Sequence, residues 1–252
     1  MSQASQILRL AKKIVIFSGA GISAESGIPT FREKLPGPWS SYDARELETS
    51  RAFRASPELV WGWYLWRRHL VKKAQPNSAH VMVAALGDTE RQVTVVTQNI
   101  DDLHERAGSR DVLHLHGDLE TPKCSSCKRV TLLPQGLTHA DAGYQVLEPP
   151  RCLHCNGRLR PDIVWFNEPL PKDIWKLAMS KIKTCDVLVS IGTSGLVTPA
   201  ADIPEAALAK GAIVIHVNKV DVSLGGQSEI MLMGSAASVL RELLNWINPH
   251  KI

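Results

Sequence analysis

No apolar run in this sequence approaches the length of a membrane span, which argues against an integral membrane protein. The N-terminal stretch MSQASQILRLAKK lacks the continuous apolar core of a secretion signal. It reads instead as a short amphipathic helix with Ile7, Leu8, Leu10 and Ala11 on one side. Neither sign of charge dominates: 29 Lys and Arg against 25 Asp and Glu leave a formal net charge of +4, too mild to imply a nucleic-acid partner. There is no internal repeat and no low-complexity tract, so the chain is neither a repeat array nor a compositionally biased segment. These absences leave a globular protein with no membrane partner, expected in the cytoplasm. Its 252 residues, 44% hydrophobic and 21% charged, suffice for one large domain or for a large domain with a smaller companion.

Cysteine is scarce but patterned. Four of the five cysteines form two Cys-x-x-Cys pairs, Cys124/Cys127 and Cys152/Cys155, separated by 24 residues; Cys185 stands alone in an apolar run. In a reducing compartment such pairs indicate metal more than disulfides. Each pair can grip one edge of a tetrahedron, and four thiolates leave no position for water, so one structural zinc is expected. Disulfides or unbound thiols are the alternative. His114, His116 and His154 are nearby donors that a complete cysteine set does not need. Lys123, Lys128, Arg129, Arg151, Arg158 and Arg160 make the same region basic, as phosphate ligands or simply as a solvated shell.

The most informative stretch is KIVIFSGAGISAESGIPTFR, Lys13 to Arg32. Ile14, Val15, Ile16 and Phe17 form a short apolar run, largely β-branched, that reads as a buried strand. Gly19-Ala20-Gly21 follows, then Ser23, Ala24 and Glu25, good residues for the first turn of a helix. Strand, glycine turn and helix start make a phosphate-binding corner. A tight strand-to-helix turn would look the same, since Ala24 sits where a Rossmann fingerprint wants its third glycine and no acidic residue follows at the usual distance.

Further strands are expected at Val93–Thr97, Val112–Leu115, Val187–Ile191 and Ile213–Val217, with Ile163–Phe166 a strand or extended segment. Helices are expected between them and at Ser235–Trp246. Apolar strands alternating with helices indicate an α/β fold, a Rossmann-like parallel sheet domain built from residues 1–32, 86–117 and 161–252. Residues 33–85 read as a helical insertion. Residues 118–160, too thin in apolar residues to build a core, read as a smaller inserted zinc-binding module.

In an open α/β sheet, ligands gather at the carboxyl ends of the strands. Three such ends carry chemistry: Gly19-Ala20-Gly21, Gln98-Asn99-Ile100-Asp101, and His116-Gly117. His116 can act as a general base near neutral pH. Alone, it would read as a histidine with a satisfied hydrogen bond, and Asn99 and Asp101 as turn formers.

Taken together, GAGISAESGIPTFR, TQNIDDLHERAG, LHG, the two cysteine pairs, RPDIVWFNE, GTS and HVN resemble the motifs of the sirtuins in order and spacing, from about Ile14 to Leu244. The resemblance implies an NAD-consuming protein-lysine deacylase. The acyl oxygen of a modified lysine would attack the nicotinamide ribose as nicotinamide leaves, and His116 would deprotonate a ribose hydroxyl that then attacks the imidate. The products would be nicotinamide, free lysine and O-acyl-ADP-ribose. Asp101 would hold the carboxamide, and Asn99 would order the ribose and a water. The resemblance also assigns Gly19, Ala20, Gly21, Ile22, Ser23, Gln98, Ile100, Gly192, Thr193 and Ser194 to the cofactor site. Phe31 and Arg32 would lie near the reacting ribose, Asn218 at the adenosine ribose and Ala236 at the adenine pocket. Val164, Trp165 and Phe166 would meet the substrate peptide by strand addition. Asn167 stands where the family has glycine, and Thr198 where it commonly has an aromatic.

Tyr64 and Arg67 are three apart on a predicted helix and so share a face. A phenol and a guanidinium suit a carboxylate, although the same helix would also read as one packing its tryptophans and solvating its cations. Within the sirtuin frame the pair resembles the class that removes succinyl and malonyl groups, with acetyl removal retained. Two rival functions share much of this pattern: an NAD-dependent ADP-ribosyltransferase, and a zinc-ribbon nucleic-acid-binding protein with an inert nucleotide fold. The second has no need of Asn99, Asp101 and His116 together.

Overall fold

The computed structural model describes residues 1–30, 37–87, 91–133 and 146–247; Phe31 and Arg32 lie outside the described residues. Among the described residues the strands are β1 (Lys13–Ser18), β2 (Gln92–Thr97), β3 (Val112–His114), β4 (Gly117–Cys124), β5 (Leu159–Ile163), β6 (Val187–Ile191), β7 (Ile213–Asn218) and β8 (Glu229–Met233). The α-helices are α1 (Ser2–Leu10), α2 (Ala44–Leu47), α3 (Ser50–Ala55), α4 (Pro57–Lys73), α5 (Ser78–Leu86), α6 (Leu103–Arg106), α7 (Lys172–Ile182), α8 (Ile203–Leu208) and α9 (Ala236–Ile247). The chain forms two compact units. One comprises Met1–Gly27, Gln75–Leu115 and Pro171–Ile252; the other comprises Ile28–Ala74 and His116–Leu170.

The first unit is a parallel sheet in the order β3-β2-β1-β6-β7-β8. In β1, every residue from Ile14 to Ser18 is buried, and so is all of β6, as expected of central parallel strands covered on both faces. Ile14, Ile16, Val187 and Val189 pack beneath α1, α5 and α9 through Leu8, Met82, Leu86 and Leu240. Val15, Phe17 and Leu188 face the other way, against Ile182, Ile203 and Ala207 of α7 and α8. This alternation along single strands is why continuous apolar runs, not alternating ones, mark them in the sequence.

Three details differ from the sequence expectation. Leu10, expected on the buried side of α1 with Leu8 and Ala11, is 81% exposed, whereas Leu8 and Ala11 are buried as expected and Ala4 joins them. The glycine corner leads into two 3-10 turns, Ala20–Ile22 and Ala24–Ser26, not an α-helix; Gly27, at φ 83°, turns the chain away before a helical ladder can propagate. The edge strand β8 has no counterpart in the expectation. Its residues are mostly half-buried and include two methionines, so its strand character comes from pairing with β7 and not from propensity.

The second unit joins what the sequence expectation separates, the helical stretch and the cysteine-bearing segment. Here β4 and β5 pair antiparallel. The long helix α4 packs beside them, with Tyr64 Oη donating to the Leu119 carbonyl at 3.1 Å and Arg68 paired with Glu120 at 2.8 Å. Trp39, Trp63 and Trp66 form a tight aromatic cluster, with ring centroids 5.0–6.0 Å apart. α4 starts with Pro57 at its first position, as Ser56-Pro57-Glu58 leads one to expect.

Candidate active site

At the carboxyl ends of β1 and β6 the sheet reverses its winding, the position where open α/β sheets bind ligands. Two glycine corners meet there. Gly19 N–H donates to Ile191 O and Gly21 N–H to Gly192 O, each at 3.0 Å. A Cβ on Gly21 would stand 2.6 Å from Gly192 Cα, and one on Gly19 would stand 2.9 Å from Gly192 O. Gly192 itself has φ +60°. The glycines expected to admit a ligand thus first admit each other. Thr193 is buried, its hydroxyl 3.2 Å from Ser190 Oγ, and its carbonyl accepts from Asn218 Nδ2 at 2.7 Å. Asn218, at the end of β7, is thereby tied to the second corner. A cavity of about 220 Å³ opens beside it, lined by Gln98, Thr193, Ser194, Asp221 and Ser223 among others.

The end of β2 carries the polar centre. Asn99 and Asp101 are buried, and both converge on Ser23: Asn99 Nδ2 donates to Ser23 Oγ at 3.1 Å, and Ser23 Oγ donates to Asp101 Oδ2 at 3.0 Å. Leu103 N–H donates to Asp101 Oδ1 at 3.2 Å. Burial raises the Asp101 carboxyl above the ordinary aspartate value, and the hydrogen bonds from Leu103 and Ser23 offset only part of that.

Behind Ser23 stands His80, which spacing alone could not place there. Asn77 and His80 form a capping box at the start of α5: Asn77 Oδ1 accepts from Ala79 N–H at 2.9 Å, and His80 Nδ1 accepts from Asn77 N–H at 3.3 Å. With Nδ1 an acceptor, the neutral ring carries its proton on Nε2, which lies 3.4 Å from Ser23 Oγ. Burial pulls His80 down to about 4. His104 lies edge-on to it at 5.1 Å, donates from Nε2 to Ser18 Oγ at 2.9 Å, and is pulled down to about 3 by burial and by its histidine neighbours. Ser18 donates on to Thr97 Oγ1, which accepts Asn99 N–H at 3.0 Å. The Asn99-Asp101 turn therefore rests on a neutral, fully buried hydrogen-bond network. His114, by contrast, is held up: burial disfavours its charged form, but the Glu105 carboxylate 2.7 Å away outweighs this.

Other expected cofactor residues divide by role. Ile22 is fully buried in the hydrophobic core, and Ala236 is buried at the start of α9. Glu25, which the sequence did not single out, ties the corner to α9 by accepting Ala237 N–H at 2.9 Å and Ser235 Oγ–H at 3.0 Å. Gln98 N–H donates to Ser18 O at 2.9 Å, and Ile100 is half-buried.

The second unit holds the remaining candidates. The chain enters it at His116, which is half-buried and whose carbonyl accepts Val164 N–H at 2.8 Å. Trp165 N–H donates to Glu168 Oε2 at 3.1 Å and Phe166 N–H to the Glu48 carbonyl at 2.9 Å. All three N–H groups of Val164–Phe166 are thus engaged within the chain. Arg160 fixes this segment, stacking 3.3 Å from the Trp165 ring centroid and gripping Glu168 at 2.6 and 2.9 Å. Burial raises the Glu168 carboxyl, but Arg160, Trp165 N–H and Ser50 prevail and hold it down to about 2. Asn167 has φ +69°, the left-handed region where glycine sits without strain and where asparagine is tolerated.

Tyr64 and Arg67 do lie on one helix, but both have partners within the protein. The Tyr64 hydroxyl is committed to Leu119 O, and burial pushes its pKa up. Arg67 is ion-paired with buried Glu48 and lies 5.8 Å over the Trp63 ring.

The sulfur atoms of Cys124, Cys127, Cys152 and Cys155 all lie within 4.8 Å of one another, and none is in a disulfide. Cys124–Cys155 and Cys127–Cys152 are 3.5 and 3.8 Å apart. A tetrahedron with zinc–sulfur bonds of about 2.3 Å has edges of about 3.8 Å, so the set fits one zinc. Each pair is built on the same turn: Lys128 and Asn156, one residue past each second cysteine, have φ +62° and +61°, and their N–H groups donate to the carbonyls of Cys124 and Cys152.

A parallel α/β nucleotide-binding sheet with a cysteine-tetrad module is the class these features define. The Sir2 family model matches residues 19–199. An NAD-dependent protein deacylase of Pseudomonas putida is 56% identical over 244 residues, covering 97% of this chain and 93% of that protein. NAD-dependent protein deacylase 4 of Pseudomonas syringae pv. tomato is 55% identical over 239 residues, covering 95% and 93%. A crystal structure of a Sir2 homolog–NAD complex aligns with a TM-score of 0.87 at 38% identity, covering 99% of this chain and 94% of that one. The chain belongs to the Sir2 family, the sirtuins.

Proposed function

We propose that the protein is an NAD-dependent protein-lysine deacylase with a structural zinc. The observation that carries this reading is the pair Asn99 and Asp101, buried at the end of β2 and oriented through Ser23 beside two interlocked glycine corners. NAD, consumed as co-substrate, supplies the ribose carbon that takes the acyl oxygen, giving nicotinamide, free lysine and O-acyl-ADP-ribose. The Gly19–Ser23 corner, Gly192, Thr193 and Ser194 bind its phosphates, with Phe31 and Arg32 near the reacting ribose. Gln98, Ile100, Asn218 and Ala236 complete the nucleotide site. Asp101 holds the carboxamide and Asn99 orders the ribose and a water. His116 is the general base that takes the proton of a ribose hydroxyl. Val164, Trp165 and Phe166 meet the substrate peptide. Tyr64 and Arg67 form the receptor for the acyl group, so succinyl- and malonyl-lysine are substrates beside acetyl-lysine.

Incubating an acylated peptide with NAD and analysing the products by mass spectrometry tests this. O-acyl-ADP-ribose and deacylated peptide are expected; an ADP-ribosylated peptide without deacylation would identify a transferase instead. His116→Ala is expected to cut turnover by about 100- to 10,000-fold while leaving NAD affinity within a few-fold. Near-normal turnover in that variant would place the base elsewhere.

A further inference from the structure

Arg67, half of the proposed acyl receptor, is paired with a carboxylate of the protein's own. Glu48 closes the short helix α2 and is only 5% exposed. Its Oε1 is paired with Arg67 Nη1 and accepts Trp63 Nε1–H at 3.3 Å. Its main chain is held as well, because the Glu48 carbonyl accepts Phe166 N–H at 2.9 Å and Thr49 bridges Phe166 in parallel register. The carboxylate is thus held by Arg67 and Trp63, and the backbone that carries it by Phe166. Arg67, with its side chain 13% exposed, lines a small cavity whose other walls include Ala44, Trp63, Trp66 and Leu70. Among the described residues Arg67 is the one guanidinium of this largely apolar enclosure, and it is already matched by an internal anion.

We propose that Glu48 is the specificity-determining residue of the acyl pocket, neutralising Arg67 so that uncharged acyl-lysines are favoured over succinyl and malonyl. This rests on the reading of Tyr64 and Arg67 as the acyl receptor and refines it. An uncharged acyl group enters without disturbing the pair. An acyl carboxylate sets a second anion beside the Arg67–Glu48 pair, and uncompensated charge is the costliest thing to bury. Selectivity then comes from a repulsive element beside the attractive one. Nothing in the Tyr-x-x-Arg spacing reports it, because the anion comes from 19 residues upstream of Arg67.

The test is kcat/KM with NAD for acetyl and succinyl versions of one peptide, measured on the parent, Glu48→Gln, Arg67→Met and the double variant. Glutamine keeps the volume and an acceptor for Trp63 while removing the charge. Glu48→Gln is expected to raise the succinyl-to-acetyl ratio about tenfold or more, the scale of one charge-assisted hydrogen bond. In the double variant this gain should vanish, since Arg67, the cation to be unmasked, is gone. If Arg67→Met lowers the ratio but Glu48→Gln leaves it unchanged, the receptor stands and the role of Glu48 is overturned. If neither substitution moves the ratio, the receptor reading fails and the inference with it. A measurement on the parent protein needs no variant to fold: a succinamoyl-lysine peptide, with carboxamide in place of carboxylate, should turn over faster than its succinyl counterpart. The reverse order also overturns the proposal.

Discussion

Acidification from pH 7 to pH 5 should weaken the first unit through two histidines that the fold keeps neutral. His80 and His104 are fully buried, and burial pulls them from 6.5 to about 4 and about 3. Their geometry agrees: His80 Nδ1 is used as an acceptor by Asn77 N–H, and His104 Nδ1 is buried with no acceptor for a second proton. Because the folded pKa is depressed, the unfolded chain binds more protons below pH 6.5. The stabilisation is present above that value and drains away as the pH falls. For an unfolded pKa of 6.5, each imidazole contributes about 1.8 kcal/mol less at pH 5 than at pH 7. The result hardly depends on whether the folded value is nearer 3 or 4, since both lie below the window. Together they remove about 4 kcal/mol, a large fraction of a typical domain stability of about 5–15 kcal/mol.

Urea unfolding at the two pH values measures the loss, and His104→Gln isolates its source. Glutamine can still donate to Ser18 Oγ but does not titrate. His114 works in the opposite direction, its raised pKa adding stability below 6.5 and losing it as pH rises, and carboxylates and cysteines titrate too. Those contributions are common to parent and variant and cancel in the comparison. The variant, whatever its stability at pH 7, should lose about 2 kcal/mol less on acidification than the parent. Equal losses in both proteins would show that the buried imidazole is not a titrating group, and the neutral network beneath Asn99 and Asp101 would need another explanation.

Three further outcomes follow from the structure. Stripping metal, or replacing any one of Cys124, Cys127, Cys152 and Cys155 by serine, should unfold the β4–β5 module, since the binding free energy of a structural zinc is folding free energy; metal analysis should give one zinc per chain, retained in Cys185→Ser. Asn167→Ala should cost about 1 kcal/mol by thermal or urea unfolding, because alanine is strained at φ +69°, whereas Asn167→Gly should change stability little. Gly21→Ala would put a Cβ 2.6 Å from Gly192 Cα, so it should lower stability by about 1–3 kcal/mol and abolish NAD binding by calorimetry, while Gly87→Ala, at φ −78° and with only ordinary contacts of 3.6 Å or more around its Cβ, should do neither.

The sheet was legible in the sequence because central parallel strands are buried on both faces, and Ile14–Phe17 and Val187–Ile191 announce this as unbroken apolar runs. The cysteine tetrad was legible because two-residue spacings place sulfurs on one turn. β8 was not, since an edge strand takes its conformation from its neighbour. Nor was the reason for the glycines fully visible. Their pattern suggested room for a ligand, yet Gly19 and Gly21 are also required by a second glycine corner more than 170 residues away. Long-range packing of that kind leaves no periodic trace.

The same limit governs the chemistry of the sites. Sequence spacing identifies which groups sit on one turn or one helix face, but reactivity depends on what the fold sets beside them. Asp101 is tuned by burial and by Ser23, and Ser23 is oriented by His80, 57 residues further on. Arg67 reads as a free cation along α4, whereas the fold sets the Glu48 carboxylate against it. A motif therefore fixes the donors a site can present. Whether those donors act as charges is decided by partners that only the folded chain brings in, and for Arg67 the internal partner is an anion of the same kind as the ligand the motif was expected to bind.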